Sequence, residues 1–318
     1  MARTSDVIRI EGLATATSPL VHGGEHEGGT TTVFRREKVV QPDGTVENIP
    51  IISGNSIRGQ LRDECAEFCL QSAGIEFIED VRVFHLLFSG GALTRGSDER
   101  FIDITLERRV RELLPVLSVF GGSVGNRVLG GRLLVDAWVP LCKEALPRLD
   151  ERYYEEASKI SMWDLMDRLS FTRRDDAKSR HIQDWLSPAA RAIYDEKYEA
   201  RMEADEAAER GMSQQMRYTY EALASGTRLQ AGFTLLAVDE IEYGAFIAAL
   251  ALFAARPRIG GRSATGLGQV RLDLRQFRVA VPRVEEPLQR ELAEKARSFL
   301  AGRDDDVRAM LQELAYAI

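Results

Sequence analysis

The chain has 318 residues, 44% of them apolar and 29% charged, a globular composition that excludes a disordered or fibrous protein. Three cysteines supply no disulfide framework and fit a reducing cytoplasm. The formal charge of −7 argues against a nucleic-acid partner only until it is located: residues 195–210 carry −4, residues 285–318 carry −3, and the remainder is neutral.

In chain order, residues 7–17 (VIRIEGLATAT) alternate as a half-buried strand does. The opening MARTSDVIRIEGL has no apolar core of a signal peptide. A Gly-rich first loop, SPLVHGGEHEGG, leads to the β-branched run TTTVFRREKVV and to a turn at Gln41-Pro42-Asp43-Gly44. A strand over 46–52 meets Ser53-Gly54-Asn55-Ser56, good capping residues for a helix over 57–71. Its apolar positions Ile57, Leu61, Cys65, Phe68 and Cys69 share one face. Residues 75–112 read as an irregular, partly helical excursion. Residues 113–120 are apolar, with Pro115 suited to a helix start; GGSVGN interrupts them, and RLLVDAWVP (132–140) is a strand. Residues 150–212 are charged and helix-prone, an inserted lobe. A strand over 228–238 precedes an apolar helix over 243–255, whose longest apolar run is too short to cross a bilayer. The loop IGGRSATGLGQ then leads into a strand over 270–274, and residues 286–317 form an amphipathic helical tail around Gly302. Strand–helix–strand followed by strand–helix–strand is an α+β, ferredoxin-like order, with helices on one face of a mainly antiparallel sheet.

Enzyme motifs are scarce. His22-Gly23-Gly24-Glu25-His26 matches a zinc-protease string, but that chemistry needs a helix and adjacent glycines oppose one, so a flexible loop is expected. Cys65 and Cys69 lack further ligands at zinc spacing and read as core residues. There is no Walker A, no G-x-G-x-x-G and no nucleophile elbow, so neither metal nor cofactor is expected. Three acid-free stretches carry more information: residues 49–62, 113–135 and 244–272, with two, two and four arginines. Arg58 and Arg62 are one helical turn apart near a helix N-terminus with free N–H groups, which suits phosphate. Arg256, Arg258 and Gly260-Gly261-Arg262-Ser263 offer arginines and exposed N–H donors.

Four motifs then resemble one family. Residues 52–62 (ISGNSIRGQLR), residues 118–122 (SVFGG) with 131–137 (GRLLVDA), residues 259–270 (IGGRSATGLGQV) and residues 18–24 (SPLVHGG) are similar to signatures of the RAMP superfamily of CRISPR repeat-associated proteins. The arrangement resembles the backbone subunit that coats guide RNA in CRISPR effector complexes, most like the type IV protein, with the type I-D or type III homologue next. That resemblance implies an RNA-recognition-like palm (1–74, 113–149 and 213–282), fingers (75–112), a thumb (150–212) and a C-terminal helical tail (283–318).

The implied RNA-binding residues are Ser53, Asn55, Ser56, Arg58, Arg62, Gly121, Gly122, Arg127, Arg256, Arg258, Gly260, Gly261, Arg262 and Ser263. Phe171, Arg173 and Arg174 belong to the thumb, Phe171 either as a base-stacking wedge or as an apolar anchor on the palm. The expected partners are guide RNA, further copies head to tail, other effector subunits and, through the guide, a complementary target, with no membrane. Guide coating must ignore sequence, so phosphate, sugar and stacking contacts are expected. Two nuclease alternatives remain. A type III-like target-RNA endonuclease would use first-loop acids, where this chain offers Glu25 and Glu27 but no aspartate. A guide-processing nuclease would use a histidine, His22 or His26.

Overall fold

The computed structural model describes residues 7–26, 31–91, 104–124, 127–172, 185–193, 196, 217–279, 284–287 and 289–317. The palm is an antiparallel sheet. Strand β1 (Val7–Ala16) lies between β12 (Arg228–Leu236) and β13 (Val270–Val279). Beyond β12 lie the short strands β8 (Leu133–Val135) and β9 (Val139–Pro140), and beyond β13 lies β14 (Val284–Glu286). Register pairs Val7 with Leu236 on one side and with Val279 on the other. The spatial order β13–β1–β12–β8 is that of a ferredoxin-like β-α-β-β-α-β unit.

Two helices cover one face of this sheet: α1 (Gly54–Ser72) and α5 (Glu240–Ala255). Alternation sets that face, with Ile10, Ala14, Leu229, Ala231, Phe233 and Leu235 all buried beneath the helices. Trp138, Phe233 and Phe246 pack edge to face, with ring centres 6.2 Å and 5.8 Å apart. Helix α5 starts three residues before the expected position because Asp239 and Glu242 form a capping box. Its far side is buried as well. Helix α6 (Glu291–Ala301) approaches Gly244 so closely that a Cβ there would lie 2.1 Å from the Leu292 carbonyl oxygen. Helix α7 (Asp304–Ala317) buries Val307, Met310, Leu311 and Leu314. The C-terminal segment is helical on both sides of Gly302, as expected, and its apolar face packs into the core.

The opposite face of the central strands carries ions. Arg9 pairs with Glu11 at 2.9 Å and with Asp136, while Arg152 reaches Glu11 and lies 5.9 Å from the Phe277 ring. Neither β1 nor β12 presents an aromatic ring there: Phe233, the one ring on these two strands, faces the helices.

The excursion over 75–112 contains α2 (Val81–Ser89) and α3 (Ile104–Leu113), and α4 (Pro115–Phe120) begins at Pro115 as expected. A hairpin of β4 (Arg36–Val40) and β5 (Val46–Pro50) turns at Gly44 (φ +85°). A second hairpin joins β6 (Gly122–Val124) to β7 (Arg127–Leu129).

The lobe expected over 150–212 begins differently. Short turns up to Leu165 pack on the body, and β10 (Met166–Thr172) pairs antiparallel with β11 (Arg217–Leu223) as a two-stranded ribbon. That ribbon continues into β3 (Thr31–Phe34) and β2 (Gly23–His26), with β11 and β3 parallel. No helix among the described residues is long and apolar enough to cross a membrane.

Candidate nucleic-acid interface

The first turn of α1 contains no acid, so the positive end of the helix is uncompensated by its own residues. Ser53 caps it in extended conformation and accepts from the Ser56 N–H. Gly54 is required: a Cβ there would stand 2.3 Å from the Val135 carbonyl oxygen. Gly54 and Ser56 are half-buried, while Asn55 is exposed.

The first loop reaches this helix end through His22. The Ser53 N–H donates to His22 Nε2 at 3.2 Å, which leaves the proton of the neutral ring on Nδ1. Burial, and then the Arg35 guanidinium, hold the His22 pKa below its ordinary value. Arg35 itself is exposed, next to the buried Phe34.

The Gly-rich loop joins the same surface. The Gly261 N–H donates to the Val21 carbonyl at 2.7 Å, the Gly268 N–H to Pro19 at 2.9 Å, and the Ile259 N–H to Gly268 at 2.8 Å. Gly260 has φ +75°, and a Cβ there would meet the Val21 oxygen at 2.2 Å. Three signature segments far apart in the chain thus meet around Val21 and His22. Ser263 and Arg262 are exposed on this loop, and so is Arg256 at the end of α5.

Several expected contacts are engaged elsewhere. Arg58 and Arg62 do not form an exposed pair. Arg62 is buried and donates to the carbonyls of Phe120 at 2.7 Å and Gly121 at 3.0 Å, and it reaches that of Leu86 at 3.5 Å. These are carbonyls at the C-terminal ends of α4 and α2, where a cation is favoured. Burial, reinforced by Arg58, pulls Arg62 down to about 10, so it remains a cation at neutral pH. Arg58 donates to the Phe120 carbonyl too.

Gly121 is buried at that corner with φ +67°, where a Cβ would lie 2.4 Å from the Leu129 oxygen, and Gly122 opens β6. Arg258 donates to the Ser263 and Leu267 carbonyls at 3.1 Å and 3.3 Å, bracing the loop from within. The Gly261 N–H, expected to face a ligand, is the one held by Val21.

Phe171 lies against Tyr220, ring centres 5.9 Å apart, on a small apolar cluster with Val21, Ala222 and Leu267. The string His22–His26 runs into strand β2, where an irregular loop was expected. Arg173, Arg174 and Glu27 lie outside the described residues, as do the side chains of Arg127, Glu25 and His26.

Two residues that the structure brings to this region escaped the sequence reading, Arg35 on the surface and Tyr220 beneath the Gly-rich loop. Arg35 was signalled weakly, by alternation from the apolar Phe34. Tyr220 sits in a segment that adjoins the charged lobe and carries no local cue to its partner on the Gly-rich loop.

A ferredoxin-like palm with large insertions, and with a Gly-rich loop docked beside an uncompensated helix N-terminus, defines an RNA-recognition-type scaffold. The profile of the RAMP superfamily matches residues 13–271, and the chain belongs to that superfamily. A solved chain of a Type IV-B CRISPR complex shares the fold, with TM-score 0.53 and 24% identity over 84% of this chain and 90% of that one. No curated protein matches the sequence.

Proposed function

We propose that this protein is a backbone subunit of a CRISPR ribonucleoprotein, of the type IV class, that coats guide RNA without reading its sequence. The observation that carries this reading is the convergence of the first loop, the α1 N-terminus and the Gly-rich loop on one surface edged by the exposed Arg35. Such a surface binds phosphate through a helix end and guanidinium, neither of which discriminates bases. The other face of the palm is ion-paired, with no ring from β1 or β12 on it and with Arg152 set against the Phe277 ring of β13, which supports routing RNA over these loops.

One subunit covers only a short stretch of RNA, so coating requires copies to join head to tail, and a heterologous contact of that kind builds an open filament. The remaining effector subunits and a target paired to the guide are the other partners of this reading. The subunit binds and does not cut, since the first loop holds no aspartate.

Purified protein is expected to carry nuclease-sensitive RNA, and on added single-stranded RNA it should form a ladder of multimers that lengthens with the RNA. A single complex regardless of RNA length, or strong preference for one sequence, would overturn this function.

A further inference from the structure

Arg262 is the least expected residue of the Gly-rich loop. It sits at φ +61°, a left-handed conformation unfavourable to a residue with a side chain, between two glycines that also have positive φ, Gly260 and Gly266. Its guanidinium lies over the Tyr220 ring, 4.1 Å from the centre, and donates to the Tyr220 hydroxyl. The Phe171 ring is 5.6 Å away.

Phe171 is on β10 and Tyr220 on β11. Cross-strand register pairs Leu169 with Tyr220 and Phe171 with Tyr218, so Leu169, Phe171 and Tyr220 share one face of the ribbon. Beneath them Val21 and Leu267, from the first loop and the Gly-rich loop, complete an apolar cluster separate from the main core. The ribbon's other face is tied down as well: Glu221 accepts from the Phe34 N–H at 3.0 Å and pairs with Arg36 at 3.1 Å.

We infer that Arg262 is a positioning residue that fixes the angle of the β10–β11 ribbon on the Gly-rich loop, and not a phosphate contact. Its planar cation stacks on one ring near a second while donating to the Tyr220 hydroxyl, a combination that a flexible ammonium reproduces only in part. Strands β10 and β11 are where the chain leaves and re-enters the body on either side of residues 173–216, so the ribbon's angle sets the position of those two ends relative to the surface that holds RNA. This role rests on the RNA-coating reading only for its consequence. The clamp itself is a property of the RNA-free protein.

The test therefore has two arms. In RNA-free protein, hydrogen exchange of the β10 and β11 amides is compared in wild type, Arg262→Lys, Arg262→Gly and Tyr220→Leu. Removing the clamp should speed exchange about tenfold in Arg262→Gly and Tyr220→Leu, and by less in Arg262→Lys, with the palm strands unchanged. Arg262→Gly relieves the strained backbone, so faster exchange there isolates the side chain. Exchange unchanged in Arg262→Lys, or in Tyr220→Leu, would overturn the clamp.

In the second arm, Tyr220→Leu should bind an RNA long enough for one subunit as wild type does, yet form a shortened multimer ladder on long RNA. A full ladder would overturn the consequence for assembly. If wild type binds no RNA, the coating reading fails while the exchange arm still decides the clamp.

Discussion

Arg62 donates to the Phe120 carbonyl at 2.7 Å, so the second arginine of the helix signature is a strut inside the protein. It joins α1 to the ends of α2 and α4, and Gly90 leaves room for it: a Cβ there would stand 3.3 Å from Arg62 Nη1. Replacing Arg62 with Met leaves buried carbonyls without their donor, a loss of about 2–4 kcal/mol. Chemical denaturation should show that loss, while the salt dependence of RNA binding by the folded fraction stays at the wild-type slope.

Two glycines of α1 should respond oppositely to alanine. Gly54→Ala drives a methyl into the Val135 carbonyl and should destabilise by about 1–3 kcal/mol. Gly59 is exposed, with nothing within 4 Å of a Cβ, so Gly59→Ala should stabilise by up to about 1 kcal/mol through helix propensity. Paired melting curves decide both.

Arg35→Ala and Arg256→Ala should each weaken RNA binding similarly for every sequence tried. Each lost phosphate contact lowers the slope of log K against log salt by about 0.7 for single strands. Titrations at four salt concentrations measure it, and a loss confined to one sequence would contradict a phosphate role.

His22 gives the protein a pH dependence of known sign. Its pKa in the folded state is held below the ordinary value, so the unfolded chain takes up the proton first as pH falls. The contribution of His22 to stability is complete above about pH 6.5 and is lost as pH drops from there towards the folded pKa. Gln can keep an acceptor for the Ser53 N–H without titrating, so His22→Gln should flatten the wild-type loss of stability between pH 7.5 and 5.5. NMR titration of the His22 ring measures the depressed value directly.

Guide-loaded protein incubated with complementary RNA and magnesium should leave that RNA intact. The double variant Glu25→Ala/Glu27→Ala should bind guide as wild type does. Regularly spaced fragments that vanish in the double variant would instead make this an RNA-guided ribonuclease.

The palm was legible in the sequence because its signals are local. Alternation in VIRIEGLATA and the Ser53 cap each act within a few residues; the helix starts moved, the strand expected over 132–140 divides into β8 and β9, and the one expected over 270–274 runs on to Val279. The ribbon was hidden for the opposite reason: β10 and β11 flank a charged segment, and the parallel partner of β11 is β3, nearly two hundred residues earlier. Site residues divided the same way. The cap and the loop glycines follow from backbone conformation and could be read directly. Arg58 and Arg62 looked solvent-facing because nothing in a linear sequence shows that two other helices end beside them.

The pairing of β1 with β12 and β13 has a consequence for synthesis. Strand β1 leaves the ribosome well before its partners, which begin at residues 228 and 270. At about 5–20 residues per second it waits on the order of tens of seconds with both edges bare. Arg9 and Glu11, which later pair with Asp136 and Arg152, meanwhile put opposite charges in the middle of an otherwise adhesive strand. The ions of the finished palm thus serve the nascent chain as guards against premature pairing with its neighbours.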